Sequence, residues 1–272
     1  MYKVGMSTWS YPLNEELFAN YHNAGIEAIE LAVKYDEIMN QDYKQIKKLA
    51  DAYNIELWSF HLPFRPYGVM DISLPHTYKE TLEYFGEIIK KVSDIGVNKF
   101  VIHPSGEPIE DDKRAEYMDC AKHSLAQLAE TAYKYNSVIA VEDLPRTCLG
   151  KNSEEIKELI GLNDKLRVCF DTNHLLSENA SDFINALNEK IITIHVSDYD
   201  FINERHWMPG EGKLDWQSIY NTLKSVNYNG VWMYEIGFEC PNTINRSRNL
   251  VCADFKQNAT AIFQNKPFIN VK

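Results

Sequence analysis

Short apolar stretches alternate with longer segments of helical period along the whole chain. Eight of these stretches have the length and composition of β-strands, at residues 4–8, 26–31, 55–61, 99–103, 138–142, 166–171, 191–195 and 230–235. Helical patterns lie between them, and the last helix is predicted over residues 244–263. Strict alternation of strand and helix indicates a parallel sheet, and eight repeats favour its closure into a barrel. The predicted fold class is therefore α/β, a single (β/α)8 TIM barrel.

The length of the chain agrees with one domain of this kind. It has 272 residues, of which 44% are hydrophobic, and one such barrel usually takes about 250 residues. No linker-like stretch divides the sequence, so residues 1–272 are predicted to form a single domain. An open doubly wound sheet is the structural alternative. Such a sheet usually carries a glycine-rich phosphate loop after its first strand, where this chain has Ser7-Thr8-Trp9-Ser10.

Composition and charge indicate the expected cellular location of the protein and the kinds of partner it could bind. The N-terminus lacks the pattern of a signal peptide, and no stretch approaches the roughly 20 apolar residues of a membrane span. Five cysteines without a CxxC spacing fit reduced thiols, so a cytoplasmic protein without membrane contact is expected. The net charge of −11 disfavours a nucleic-acid partner, although a local basic groove can coexist with an acidic body.

Polar side chains that can bind metals stand at the ends of six predicted strands. These are His61, His103, Glu142, Asp171, His195 and Glu235, and His174 follows three residues after Asp171. The carboxyl ends of the strands of a parallel barrel meet at one face, where such proteins build their active sites. A single histidine at a strand end is more often a structural hydrogen-bonding group than a ligand, and a single Glu or Asp there could be a helix N-cap or a partner of Lys or Arg.

Together, these six groups predict a cation. Burial of six such groups at one rim without compensation would cost several kcal/mol each, and a cation removes that cost by binding several of them at once. The mixture of carboxylate oxygen and imidazole nitrogen suits Mn²⁺, Mg²⁺, Co²⁺ or Zn²⁺.

Seven motifs carry a resemblance to a known family. They are FHLPF around His61, VIHPSG around His103, IAVEDLP around Glu142, CFDTNH at 169–174, IHVSD at 194–198, RHWMPGEGKLDW at 205–216 and MYEIG around Glu235. In this order they resemble the xylose-isomerase-like TIM barrel superfamily. This superfamily contains sugar phosphate isomerases and epimerases, ketose 3-epimerases and inosose dehydratases, and more distantly endonuclease IV.

The resemblance to ketose 3-epimerases implies a site with one divalent ion. Its ligands would be Glu142, Asp171, His195 and Glu235, and the same two glutamates would act as the catalytic acid/base pair. The candidates for substrate contacts are His61, His103 and His174, together with Arg205 or His206 before the Pro209-Gly210 turn. Mn²⁺ is the first expectation for the ion, with Mg²⁺, Co²⁺ or Zn²⁺ as alternatives.

The function expected from this resemblance is a divalent-metal-dependent isomerase or epimerase of a sugar, sugar phosphate or polyol. The metal would stabilise an enediolate while the two glutamates move the proton. An inosose-dehydratase-like lyase is an alternative with the same first step. The expected partner is a small sugar or polyol, a nucleic acid is not expected, and a homo-oligomer is left open.

A zinc phosphodiesterase of the endonuclease IV type is the main alternative. In those relatives nine residues hold three zinc ions, and the matching positions are His61, His103, Glu142, Asp171, His174, His195, Glu204, His206 and Glu235. Glu204 departs from the family pattern, which has Asp there, and this weakens the expectation of a third metal. A non-catalytic sugar-binding barrel is a third possibility, which the intact acid/base pair disfavours.

Overall fold

The computed structural model describes residues 1–64 and 70–268, and within them the predicted closed parallel barrel is confirmed. Eight strands pair in chain order, and β1 pairs with β8 to close the barrel, with Val4 opposite Trp232. The strands β1 to β8 are Val4–Ser7, Ala28–Leu31, Glu56–His61, Lys99–Ile102, Val138–Glu142, Arg167–Asp171, Ile191–Val196 and Trp232–Tyr234. Each lies within or overlaps a predicted strand.

A helix follows each strand and packs on the outside of the barrel. The helices α1 to α8 are Glu15–Asn23, Tyr43–Ala52, Tyr78–Ser93, Arg114–Tyr133, Ser153–Ile160, Ala180–Leu187, Trp216–Ser225 and Cys252–Phe263. Side chains of Asn14, Asp42, Asn152, Asn179 and Asp215 accept hydrogen bonds from backbone N–H groups in the first turns of their helices. None of the helices in the described part of the chain is long and apolar enough to cross a bilayer.

The last helix is shorter than the sequence pattern predicted. It begins at Cys252, whereas the prediction began it at residue 244. The carboxylate of Asp254 accepts a hydrogen bond from the backbone N–H of Val251 and pairs with Arg248. This capping group fixes the start of the helix, because it satisfies a free N–H that an earlier start would have used inside the helix.

The two-residue period of the strands separates the barrel interior from the helix-facing core. In β5, Ile139 and Val141 belong to the main apolar core under the helices, whereas Ala140 belongs to a small separate cluster with Val101 and Cys169. Because side chains alternate along a strand, Glu142 lies on the same face as Ala140. The inward face is therefore apolar at the bottom of the barrel and becomes polar at the carboxyl end of the strand.

The loop between β7 and α7 is organised around the buried side chain of Asp198. One carboxylate oxygen accepts hydrogen bonds from the backbone N–H groups of Tyr199 and Leu214, at 2.8 and 3.2 Å. The other accepts from the N–H of Gly210 at 2.8 Å and from the indole Nε1 of Trp216 at 2.9 Å. This carboxylate ties both ends of the loop to β7, and so it fixes the segment of the chain that carries residues 204–206.

Glycine is required at residue 212 of this loop. A Cβ atom there would lie 2.2 Å from an oxygen of Asp198 and 2.3 Å from the carbonyl oxygen of Tyr199, both closer than real contacts allow. Gly210 has a φ of +94°, which also favours glycine. The PGEG sequence is thus explained by the fit of the backbone around Asp198.

We predict that Asp198→Asn lowers the free energy of unfolding by about 2–5 kcal/mol, because the amide nitrogen cannot accept the two hydrogen bonds that one carboxylate oxygen receives. Urea unfolding followed by circular dichroism measures the change. Asp182→Asn, at an exposed position of α6, is the matched control and should change stability by less than about 0.5 kcal/mol. Equal unfolding midpoints for the two variants would contradict the assigned role of Asp198.

Candidate active site

The barrel brings all six strand-end side chains that could bind a metal ion to one rim. His61, Glu142 and Asp171 are the last residues of β3, β5 and β6, and all three are buried. His195 is the buried penultimate residue of β7. His103 and Glu235 directly follow β4 and β8 and are half-buried.

Four of these side chains form a central group. Ligand atoms of Glu142, Asp171, His195 and Glu235 all lie within 4.8 Å of one another. The Nδ1 atom of His195 is 2.9 Å from an oxygen of Glu142, 3.4 Å from Glu235 and 3.8 Å from Asp171. Three carboxylates and one imidazole nitrogen therefore face a common point.

The environment of Asp171 fits a cation at that point. Its Oδ1 atom accepts a hydrogen bond of 2.6 Å from the backbone N–H of Asn173, and its own N–H donates to Asp143. Its Oδ2 atom is buried and has no hydrogen-bond partner among residues 1–64 and 70–268. A buried carboxylate oxygen without a donor is costly, and a metal ion would satisfy it.

The two glutamates of the group have pKa values displaced in opposite directions. Burial raises the pKa of Glu142, but the charges and hydrogen bonds of His195 and His103 outweigh burial and bring the pKa well below its usual value. Burial raises the pKa of Glu235 to about 7, because the neighbouring carboxylates of Glu142 and Asp171 add to the effect while His195 and His206 oppose it. Divergent protonation of two facing carboxylates is typical of acid/base pairs.

A second group shares Glu142. The Nε2 atoms of His61 and His103 lie 3.1 and 3.2 Å from the Glu142 oxygen that faces away from His195. The Nδ1 atom of His61 is 2.8 Å from the carbonyl oxygen of Leu62, so it must carry the proton of a neutral ring. The Nε2 lone pair then points at a carboxylate, which is favourable only with a proton or a cation between them.

A third group consists of His174, Glu204 and His206. Glu204 Oε1 is 3.6 Å from His174 Nε2 and 3.2 Å from His206 Nε2, and the other Glu204 oxygen pairs with Arg146. The Nδ1 atoms of the two histidines donate to backbone carbonyl oxygens of Asp143 and Glu235, at 2.7 and 3.0 Å. Both Nε2 atoms are thus directed at the same carboxylate, the arrangement already described for His61.

The geometry distinguishes between Arg205 and His206, the two alternative candidates for a substrate contact. Arg205 donates to Asp200 through Nε at 2.9 Å and is not among the residues that line the cavity above the central group. His206 does line it, and the indole of Trp9 packs edge-on against the His206 ring with centroids 5.1 Å apart. The structure therefore brings His206, but not Arg205, to the other candidate residues.

The cavity above the central group has a volume of about 480 Å³. His61, His103, His174 and His206 line it together with the two glutamates, and Trp9, Tyr35 and Phe64 contribute aromatic walls. The ring of Phe64 stacks on His103 at 4.1 Å. A cavity with a polar floor and aromatic sides suits a small polar molecule with apolar faces, such as a sugar.

Glu30 was missed by the sequence analysis. It lies in β2, is fully buried, and accepts a hydrogen bond of 2.8 Å from Ser59. Its other oxygen is 2.9 Å from Nε2 of His195. The signal was present, since a glutamate between Ile29 and Leu31 in a strand buried on both faces must have a partner inside the barrel.

Comparison with known proteins identifies the family. The family model described as xylose isomerase-like TIM barrel matches residues 18–249 of this chain. Because that match covers most of the sequence, the chain belongs to this family, and the resemblance inferred from the seven motifs is confirmed.

Individual relatives are more distant. An uncharacterised protein of Methanocaldococcus jannaschii is 26% identical over 200 residues, which cover 70% of this chain and 68% of that protein. A probable endonuclease 4 of Acholeplasma laidlawii is 34% identical over 99 residues, 35% of this chain and 33% of its own length. The crystal structure of a D-tagatose 3-epimerase-like protein superposes with a TM-score of 0.82 at 22% identity and 97% coverage of both chains.

The central group leads to a prediction about metal content. We expect the purified protein to carry a divalent ion, and Asp171→Ala or His195→Ala to weaken its binding by more than about 100-fold, because each removes a ligand and not merely an outer-shell partner. Elemental analysis after gel filtration measures the content, with circular dichroism as the test of folding. Glu178→Ala is the control, since Glu178 instead bonds Ser153. Stoichiometric metal in a double Asp171→Ala, His195→Ala protein would refute the assignment.

Proposed function

We propose that this protein is a divalent-metal-dependent isomerase or epimerase of a sugar or polyol. Family membership and the likeness of its fold to a D-tagatose 3-epimerase-like protein support this class of reaction. The observation that carries the proposal is a pair of glutamates, with pKa values displaced in opposite directions, that belong to one candidate metal group and line the same cavity. Two carboxylates in different protonation states are what a proton transfer between carbon and oxygen requires.

In the proposed reaction, four residues would bind the ion, and two of them would also transfer protons. Glu142, Asp171, His195 and Glu235 would hold the ion, which supplies a Lewis acid for the negative charge that develops on substrate oxygens beside the deprotonated carbon. Glu235, which lines the cavity above the central group, would exchange a proton with the substrate. Glu142, ionised, would accept or return the proton from the side of β5.

The position at which the proton returns decides the reaction. Return to the same carbon from the opposite side gives epimerisation, and return to the neighbouring carbon gives aldose–ketose isomerisation. His174 and His206, with their Nδ1 protons engaged by backbone carbonyls, would hold substrate hydroxyls through Nε2 and fix the carbon between the glutamates. Orientation of this kind contributes several kcal/mol to lowering the barrier.

Substitution of either glutamate tests the acid/base assignment. We predict that Glu142→Gln and Glu235→Gln each lower turnover by at least about 100-fold, because glutamine keeps a ligand oxygen but cannot exchange the proton. Turnover is measured on the ketose that the wild-type enzyme converts best in a panel of free and phosphorylated sugars. Glu178→Gln should leave turnover unchanged. Near-native turnover in both active-site variants would exclude the proposed acid/base roles.

A zinc-dependent phosphodiesterase is the second candidate, and one specific observation favours it. His61, His174 and His206 each donate Nδ1–H to a backbone carbonyl and direct Nε2 at a carboxylate, which is the second-shell arrangement of metal-binding histidines. Two further groups beside the central one would then hold ions. The partial match to a probable endonuclease 4 agrees with this candidate, whereas the net charge of −11 opposes binding to a phosphate backbone.

A metal count on His206→Ala distinguishes the two candidates. For the sugar enzyme we predict one ion per chain in both wild type and variant, and an increase in KM of about 10-fold or more as a substrate contact is lost. For the phosphodiesterase, wild type would hold three zinc ions and the variant fewer. Arg205→Ala is the neighbouring control, because Arg205 pairs with Asp200 outside the cavity. Three ions in the wild-type protein would overturn the first proposal.

A further inference from the structure

Glu30 is a buried carboxylate with no lysine or arginine beside it among the described contacts. Its side chain lies inside the barrel, with Ser59 donating to Oε2 at 2.8 Å and Nε2 of His195 2.9 Å from Oε1. Removing a carboxylate from water is costly unless hydrogen bonds or an opposite charge compensate. Ser59, His195 and the nearby imidazole of His61 provide that compensation. Because His195 is the group that faces Oε1, the position of Glu30 is tied to the state of His195.

The two ring nitrogens of His195 face two different carboxylates. Nδ1 faces the central group, 2.9 Å from Glu142, and Nε2 faces Glu30. A neutral imidazole carries a proton on only one nitrogen, and an ionised carboxylate can only accept. Glu30 therefore favours a proton on Nε2, and a cation that replaces the proton between Nδ1 and Glu142 leaves the ring in the tautomer that a metal ligand needs.

Within the described chain, neither atom of the Glu30–His195 contact has another hydrogen-bond partner. The two atoms are 2.9 Å apart, but the N–H direction is not aligned with Oε1, so the contact has the distance of an ion pair without the angle of a hydrogen bond. The thiol of Cys169 is also near the ring, but sulfur is a weak acceptor. Glu30 is thus the stronger partner for the Nε2 proton.

We propose that Glu30 is a positioning residue that fixes the tautomer and orientation of His195 and strengthens Nδ1 as a metal ligand. The inference rests on the proposed function, since it assumes that the central group binds a divalent ion. Carboxylates that accept the second N–H of a metal-binding histidine change metal affinity by about 10- to 100-fold. Ser59 has a supporting role, because its hydroxyl holds Oε2 and so directs Oε1 toward His195.

The test is a titration of Mn²⁺ into metal-free protein, followed by electron paramagnetic resonance of the free ion. We expect Glu30→Gln and Glu30→Met to weaken Mn²⁺ binding by about 10- to 100-fold, with the larger effect for Met, which cannot accept a proton. Ser59→Ala should weaken it less. Asp254→Asn is the matched control: it alters a buried carboxylate that caps α8 far from His195, so it should lower stability without changing Mn²⁺ affinity.

A second readout separates positioning from a general loss of structure. With ¹⁵N-labelled histidine and diamagnetic Zn²⁺ bound in place of Mn²⁺, the Nε2–H proton of His195 in wild type should give the downfield NMR signal of a proton shared with Glu30. In Glu30→Met this signal should lose its downfield shift, whereas Glu30→Gln, whose carbonyl oxygen still accepts, should retain most of it. An unchanged Nε2–H signal in Glu30→Met would overturn the proposal. Should that variant fail to fold, an unchanged Mn²⁺ affinity in Glu30→Gln would do so.

Failure of this inference is distinguishable from failure of the metal centre itself. If Glu30→Gln and Glu30→Met bind Mn²⁺ like wild type while Asp171→Ala does not, the central group holds the ion and Glu30 has no part in it. If Asp171→Ala also binds like wild type, the metal centre lies elsewhere and the proposed function fails with it.

Discussion

The concentration of acidic side chains at one end of a closed parallel barrel is the constraint on which the rest of this structure depends. Glu30, Glu142 and Asp171 are buried, and Glu235 is half-buried beside them. Their mutual repulsion would oppose folding unless positive charge is supplied nearby. Histidines supply part of this positive charge. Burial lowers the pKa of His61, but Glu142 and Glu30 raise it to about 9. Either bound protons or a metal ion can therefore balance the negative charge of these carboxylates.

Backbone carbonyl groups decide which way those histidines face. His61, His174 and His206 each donate Nδ1–H to a carbonyl oxygen of a loop residue, so their Nε2 atoms can only point inward. The loops are themselves held by buried carboxylates: Asp143 accepts the N–H of Asp171, and Asp198 accepts four donors around the β7–α7 loop. The conformation of the loops thus sets the tautomer of each of these three histidines and the direction of its Nε2 atom.

The fold and the central group were accessible from the sequence because both follow from simple periodicity. A residue such as Asp171 stands at the end of an apolar strand, and a parallel barrel brings every such end to one face. Glu30 has the same inward direction but is followed by Leu31 within its strand, so a search of strand ends passes over it. Arg205 and His206 are neighbours in an irregular loop, and their opposite orientations depend on the pairing of Arg205 with Asp200, a contact that no periodicity encodes.

The position of Glu142 would link the number of bound metal ions to the type of reaction in the proposed function. One of its oxygens faces His195 and the central group, and the other faces His61 and His103. A second ion at the two histidines would engage both oxygens of Glu142, and a carboxylate that bridges two cations is too weak a base to accept a proton from carbon. With a single ion in the central group, the second oxygen stays within reach of imidazole protons and can take part in proton transfer. In the proposed reaction, the number of bound ions would therefore determine whether Glu142 can act as a base.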